Sequence, residues 1–71
     1  MPEEIRAEMF ANVTSVLVAT GAAVAGGDTL VVLESMKMEI PVLTEVDGTV
    51  RRVAVSVGDA VRRGDLIAVI D

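Results

Sequence analysis

The stretch Gly21-Ala22-Ala23-Val24-Ala25-Gly26-Gly27-Asp28-Thr29-Leu30-Val31-Val32-Leu33-Glu34 returns later as Gly58-Asp59-Ala60-Val61-Arg62-Arg63-Gly64-Asp65-Leu66-Ile67-Ala68-Val69-Ile70-Asp71. A shift of 37 residues superimposes the two. Gly21/Gly58, Ala23/Ala60, Val24/Val61, Gly27/Gly64, Asp28/Asp65 and Val32/Val69 are identical, and Leu30/Ile67, Leu33/Ile70 and Glu34/Asp71 are close. Upstream, Val13, Val16 and Val18 fall on Val50, Val53 and Val55, and Ala11 falls on Gly48. Two copies of one small unit explain this, and a unit so short cannot close a core alone, so the halves must pack together.

Each half reads as β structure. An alternating stretch comes first: Val16 and Val18 share a face, as do Val53, Val55 and Val57. Gly21 or Gly58 then opens a turn, and a short link carries Val24 or Val61. A Gly-Asp pair makes a second turn, and an apolar strand closes the half, Leu30–Leu33 or Leu66–Ile70. No helical period runs through residues beyond 8, while Glu3–Met9 is open to either a helical turn or a frayed tail. The expected fold is all-β, a small sandwich or flattened barrel with quasi-twofold symmetry and about four short strands per half.

Composition narrows the function. The chain has 71 residues, so it is one domain. It has no Cys and no His, which removes disulfides, Cys/His zinc sites and Ser-His-Asp or Cys-His nucleophiles. Carboxylates remain, but a barrel of this size leaves little room for a substrate cleft. With 52% apolar residues and one aromatic, Phe10, the core must be Val, Leu, Ile and Met. Six basic against eleven acidic residues give a formal charge of −5, which argues against nucleic acid and anionic lipid as partners. No apolar run approaches the roughly 20 residues that span a bilayer. Pro2-Glu3-Glu4 is the wrong chemistry for the basic start of a signal peptide, so a cytoplasmic protein is expected.

The junction of the halves, Glu34-Ser35-Met36-Lys37-Met38-Glu39-Ile40-Pro41, is the anomaly. Strand sequence on both sides predicts a tight hairpin with its tip near Met36-Lys37. Two-residue turns favour Asn-Gly or Asp-Gly, because they need residues that tolerate positive φ. Every other turn in the chain uses Gly; this one does not. A local rule broken at a single place points to function. Covalent modification of Lys37 fits. An amine must be gripped and deprotonated by a modifying enzyme, so it must project clear of the domain. Met36 and Met38 offer such an enzyme soft apolar contact. An isolated exposed lysine is ordinarily a solubilising residue, and composition alone does not identify a cofactor.

The remaining features have plainer readings. Gly21–Gly27 lacks the Gly-Lys-Ser/Thr ending of a phosphate-binding loop and reads as turn and link. The Gly-Asp pairs are turn residues rather than metal ligands, so no metal site is expected. Arg51-Arg52 and Arg62-Arg63 read as solvated edge residues that discourage aggregation.

Glu34-Ser35-Met36-Lys37-Met38 resembles the Glu-Ala-Met-Lys-Met attachment motif of biotin carboxyl carrier proteins, with Ser35 for alanine. The likeness runs from about Met9 to Asp71 and is to the biotinyl/lipoyl attachment domains, in particular to short, free-standing biotinylated proteins of the mycobacterial type. It implies a flattened barrel of two four-stranded antiparallel sheets. Residues 9–71 would form the carrier domain and residues 1–8 a flexible tail. Val18-Ala19-Thr20-Gly21 leaves no room for the thumb insertion that some carriers bear. Ala7-Glu8-Met9-Phe10-Ala11 stands where the family often has Ala-Pro-Met-Pro-Gly, which leaves the first strand open.

By that resemblance Lys37 carries covalent biotin added by a biotin protein ligase. Met36 and Met38 serve ligase recognition, and Glu34 and Ser35 complete the motif. The chain would be a non-catalytic monomer that shuttles a carboxyl group from a biotin carboxylase to a carboxyltransferase, with an acceptor such as an acyl-CoA. The competing readings are a lipoyl carrier, whose tip usually reads Asp-Lys-Ala, and an interaction protein that kept the fold without the carboxylase role.

Overall fold

The computed structural model describes residues 2–71. Eight strands form, in order β1 Glu3–Arg6, β2 Ala11–Val16, β3 Ala23–Val24, β4 Thr29–Ser35, β5 Met38–Leu43, β6 Gly48–Val53, β7 Ala60–Val61 and β8 Leu66–Ile70. They make two four-stranded antiparallel sheets, ordered β1-β8-β6-β3 and β5-β4-β2-β7. The 37-residue shift carries β1 onto β5, β2 onto β6, β3 onto β7 and β4 onto β8, so it also carries one sheet onto the other. The quasi-twofold expected from the repeat is therefore the symmetry of the fold. Its irregularities obey it as well: the bulge at Val13/Ser15 has its mate at Val50/Arg52.

Neither sheet belongs to one half. β1 and β3 of the first half pair with β8 and β6 of the second, and β7 of the second pairs with β2 of the first. The crossing is fixed by reciprocal hydrogen bonds. The Gly21 amide donates to the Val50 carbonyl (2.7 Å) and the Val50 amide to the Ala22 carbonyl (2.8 Å). Gly58 and Val13 repeat this, with the Gly58 amide on the Val13 carbonyl at 2.9 Å and the Val13 amide on the Asp59 carbonyl at 2.8 Å.

The core is built from the same mates. Val13/Val50, Val24/Val61, Leu30/Ile67, Val31/Ala68 and Leu33/Ile70 are all buried. Thr44, the mate of buried Ala7, is the one buried polar residue among the described residues, and its hydroxyl donates to the Val46 carbonyl at 2.9 Å. Methionine, expected beside Val, Leu and Ile in the core, is absent from it among the described residues: Met9 is exposed, while Met36 and Met38 are exposed at the hairpin tip as their sequence predicts. β-branched and γ-branched side chains fill a narrow two-layer interior without them.

Two sequence expectations change. Residues 3–6, assigned to a tail outside the domain, form strand β1, with Glu3 opposite Ile70 and Ile5 opposite Ala68. The signal is weak because only Ile5 in Glu-Glu-Ile-Arg is apolar, yet β8 would otherwise be a bare edge. Met1, also assigned to that tail, lies outside the described residues. Second, the alternating strands begin and end earlier than the valines suggest. β6 stops at Val53, and Val57 is exposed in a turn.

The turns follow the Gly-Asp signal. In Ala25-Gly26-Gly27-Asp28 the Asp28 amide donates to the Ala25 carbonyl (2.9 Å), and Gly27 sits at φ +95°, as the third residue of a type II turn requires. The Asp28 carboxylate accepts from the Ala25 amide at 2.9 Å, and Asp65 accepts from the Arg62 amide at the same distance. Because these two turns are symmetry mates, Asp28→Ala and Asp65→Ala should cost similar amounts, about 1 kcal/mol each, in urea unfolding. Gly48 is required for a different reason: a Cβ there would drive into the Asp71 carbonyl oxygen. Gly48→Ala should therefore cost more, about 2 kcal/mol or above, by overpacking against backbone that cannot yield.

Candidate functional site

β4 and β5 form the longest ladder in the molecule, running from Thr29↔Leu43 to Ser35↔Met38. The last pair leaves Met36 and Lys37 as a two-residue turn, with φ of +52° and +65°. This is the turn with both central residues left-handed that matches strand twist. Among the described residues these are the only non-glycine residues at positive φ. Each costs about 1–2 kcal/mol relative to the ordinary region. The sequence places the tip here and identifies the missing glycine, and the structure adds that the backbone takes the glycine-like conformation regardless.

The tip is open to solvent. Met36 is 91% exposed and Met38 64% exposed, and Lys37 is exposed as well. Among the described residues no carboxylate forms a salt bridge with Lys37, and no hydrogen bond holds its amine. Below the tip, Glu34 on β4 lies directly opposite Glu39 on β5. Like charges across a ladder are mildly destabilising, so the neck breaks a second local rule. Ser35 is half-buried where the ladder closes against Met38. Glu34, Ser35, Met36, Lys37 and Met38 are thus brought together as one continuous surface element.

One neighbour escaped the sequence reading. Phe10, 61% exposed, borders a groove of about 310 Å³ with Asn12, Glu34, Met36 and Lys37. No signal in the sequence marks it: Phe10 precedes β2, and only the pairing of β2 with β4 brings it beside the tip.

The arrangement suits attachment of an acyl group rather than catalysis at the tip. An unpaired primary amine projects from a stiff hairpin, flanked by thioethers. An amide at that position would meet no steric obstacle and would displace no ion pair among the described residues. Among the described residues there is no cluster of acidic groups able to hold a metal ion.

Comparison with known proteins agrees with this geometry. The family model described as "Biotin-requiring enzyme" matches residues 1–70. The chain is 59% identical over 70 residues to the biotinylated protein TB7.3 homolog of Mycobacterium leprae, covering 99% of both chains. It is 43% identical over 66 residues to the biotin-dependent acyl-coenzyme A carboxylase alpha3 subunit of the same organism, covering 93% of this chain and 11% of that one. Among solved structures, the urea carboxylase of Kluyveromyces lactis contains a region that superimposes on the whole chain with a TM-score of 0.93 at 32% identity, 6% of that protein. With the repeat, the two-sheet barrel and the lysine hairpin already in place, the chain belongs to the biotinyl/lipoyl attachment domain family.

Proposed function

We propose that Lys37 is the biotinylated residue and that the chain carries biotin between the active sites of a biotin-dependent carboxylase. The observation that carries this reading is the Met36-Lys37 turn: an unpaired, exposed amine held on a left-handed turn that would be easier to build with glycine. The residues fit the group. A biotin protein ligase would join the Lys37 Nζ to an activated biotin carboxyl: the C–N bond of the amide forms, the acyl carbon's bond to its activating group breaks, that group leaves, and the amine gives up a proton. Bound there, biotin supplies a ring that accepts and gives up a carboxyl group.

The chain's own part is mechanical. The β4–β5 ladder fixes the root of the arm, and the lysine stem gives it reach. Tethering raises the local concentration of the cofactor at both partner sites to the millimolar range or above, without any catalytic group on the carrier. Met36 and Met38 give the ligase adaptable apolar contact, and Glu34 and Ser35 set the neck it grips. The partners are a ligase, a biotin carboxylase and a carboxyltransferase. The likeness to an acyl-coenzyme A carboxylase subunit supports an acyl-CoA acceptor. The carrier works as a cytoplasmic monomer.

Met-Lys-Met at the tip favours biotin over lipoate. Incubation with a biotin protein ligase, followed by intact mass and a streptavidin blot, should show one biotin on the wild type and none on Lys37→Arg. Biotin retained by the variant, or a lipoyl mass from cells that make both cofactors, would overturn the assignment.

Met36→Gly separates recognition from folding. It relieves a left-handed methionine but loosens the unfolded chain, so stability should change by less than about 1 kcal/mol. Burying a methionine side chain in a partner is worth about 1.5–3 kcal/mol, so kcat/KM for ligation should fall roughly tenfold or more. An unchanged kcat/KM would remove Met36 from the recognition surface.

A further inference from the structure

The groove beside the tip has an order that its lining residues make explicit. Asn12 on β2 is the register partner of Glu34 on β4, and Phe10, just before β2, lines the same groove as Met36, in the turn just after β4. Ala11, Val13 and Leu33 are buried, so Asn12 and Glu34 face outward. Together these four line one groove: an apolar pair, Phe10 and Met36, next to the tip, and a polar pair, Asn12 and Glu34, further down the ladder. Lys37 borders the same groove.

We infer that this groove is a resting site for the ring carried on Lys37, so that the arm folds back over β2 and β4 between encounters. The inference rests on the assignment of biotin to Lys37. Its chemistry is specific. A ureido ring offers two N–H donors and one carbonyl acceptor. The Glu34 carboxylate only accepts and the Asn12 amide can donate, so together they answer both needs. Phe10 and Met36 offer a ring face and a thioether to the hydrocarbon of the arm. A dithiolane ring has no hydrogen-bonding group for the polar pair, so the block suits a ureido ring and not a lipoyl group.

Reach is sufficient. Two residues along a strand span about 7 Å, less than a lysine stem with a further valeryl chain. Weak contact is enough. A short flexible tether gives an effective concentration of order millimolar, so an intrinsic Kd near that value already populates the docked arm substantially. A groove of about 310 Å³ lies at the small end of ligand sites, which keeps the docking weak and the arm releasable. Docking also reduces the free arm by the docked fraction, a cost that a partner recovers by gripping Phe10 itself.

Phe10 is the only aromatic residue in the chain, so its ring current is an unambiguous probe. Proton NMR of the biotinylated protein should show the methylene protons of the biotin side chain shifted upfield from their positions in biotinylated free lysine. The shift should vanish in Phe10→Ala and shrink in Glu34→Gln. Cross-relaxation should link the ureido N–H protons to the Asn12 amide. Phe10 is largely exposed, so the variant should fold, and its methyl spectrum checks this; Phe10→Leu replaces it should it not. Biotin confirmed by mass but showing free-lysine shifts overturns the inference and leaves the carrier assignment standing. Slower ligation of Phe10→Ala without any shift in the wild type makes the groove a ligase contact instead, and also overturns it. Absence of biotin from Lys37 is the failure of the carrier assignment, read separately by mass.

Discussion

Everything in this small barrel depends on the exchange of backbone hydrogen bonds between the halves. Gly21 and Ala22 lock onto Val50, and Gly58 and Asp59 lock onto Val13. Each sheet takes two strands from each half, so neither half can satisfy its own edges. A chain of 71 residues without disulfide or histidine has little else with which to close a core. Interlocking supplies long-range pairing in both directions and makes the barrel one cooperative unit. It also fixes the chain path, because the halves are joined covalently only between β4 and β5. The β4–β5 hairpin is thus the link between the interlocked halves, and Lys37 sits in its turn.

The same symmetry shows what is functional by where it breaks. Core mates stay apolar except at Thr44, the mate of Ala7, whose hydroxyl is satisfied by the Val46 carbonyl, and the Gly27 and Gly64 turns match to within a few degrees of φ. Departures gather around the tip. Met36 and Lys37 replace glycine-type turn residues, Glu34 faces Glu39, and methionines and a phenylalanine stand in solvent. Each departure acts against local stability or solubility, and none is needed to close the barrel. The exception is Gly48, which departs from its mate Ala11 for a packing reason alone, the approach of the Asp71 carbonyl. Broken symmetry thus separates into a steric case with a visible neighbour and a cluster without one.

Most of the fold was legible in the chain because its symmetry is written twice. The Gly-Asp turns, the closing strands and the two-residue link strands all follow from local chemistry that repeats at a spacing of 37. Strand β1 was not legible. Glu-Glu-Ile-Arg has no alternation strong enough to declare a strand, and its pairing is decided by the open edge of β8, which is a tertiary fact. The mate of β1 is β5, whose Met38–Leu43 is far more apolar, so the repeat fades where it was needed. The valine alternation overran β6: Val53 and Val55 both pack against the core, but the strand ends at Val53 and Val57 falls exposed in the turn that follows. At the site, Lys37 and its flanks were legible from the missing glycine and the motif. Phe10 was not, since its relation to Met36 exists only through the β2–β4 register.

The tip stores strain in the chain rather than in contacts. Two left-handed residues without glycine cost together about 2–4 kcal/mol, a large share of the 5–15 kcal/mol by which domains are stable. That cost is sustained by the β4–β5 ladder below, which holds its register without a break from Val31 to Ser35. Glycine at the tip would relax the turn but widen its conformations, and the lysine would then sample many orientations. Met36 and Lys37 instead hold a narrow backbone geometry, so under the proposed function a modifying enzyme would meet a hairpin already in shape and spend less binding energy on ordering it. The strain and the exposed methionines are therefore one device: the ladder sustains a stiff tip, and the stiff tip presents the side chains.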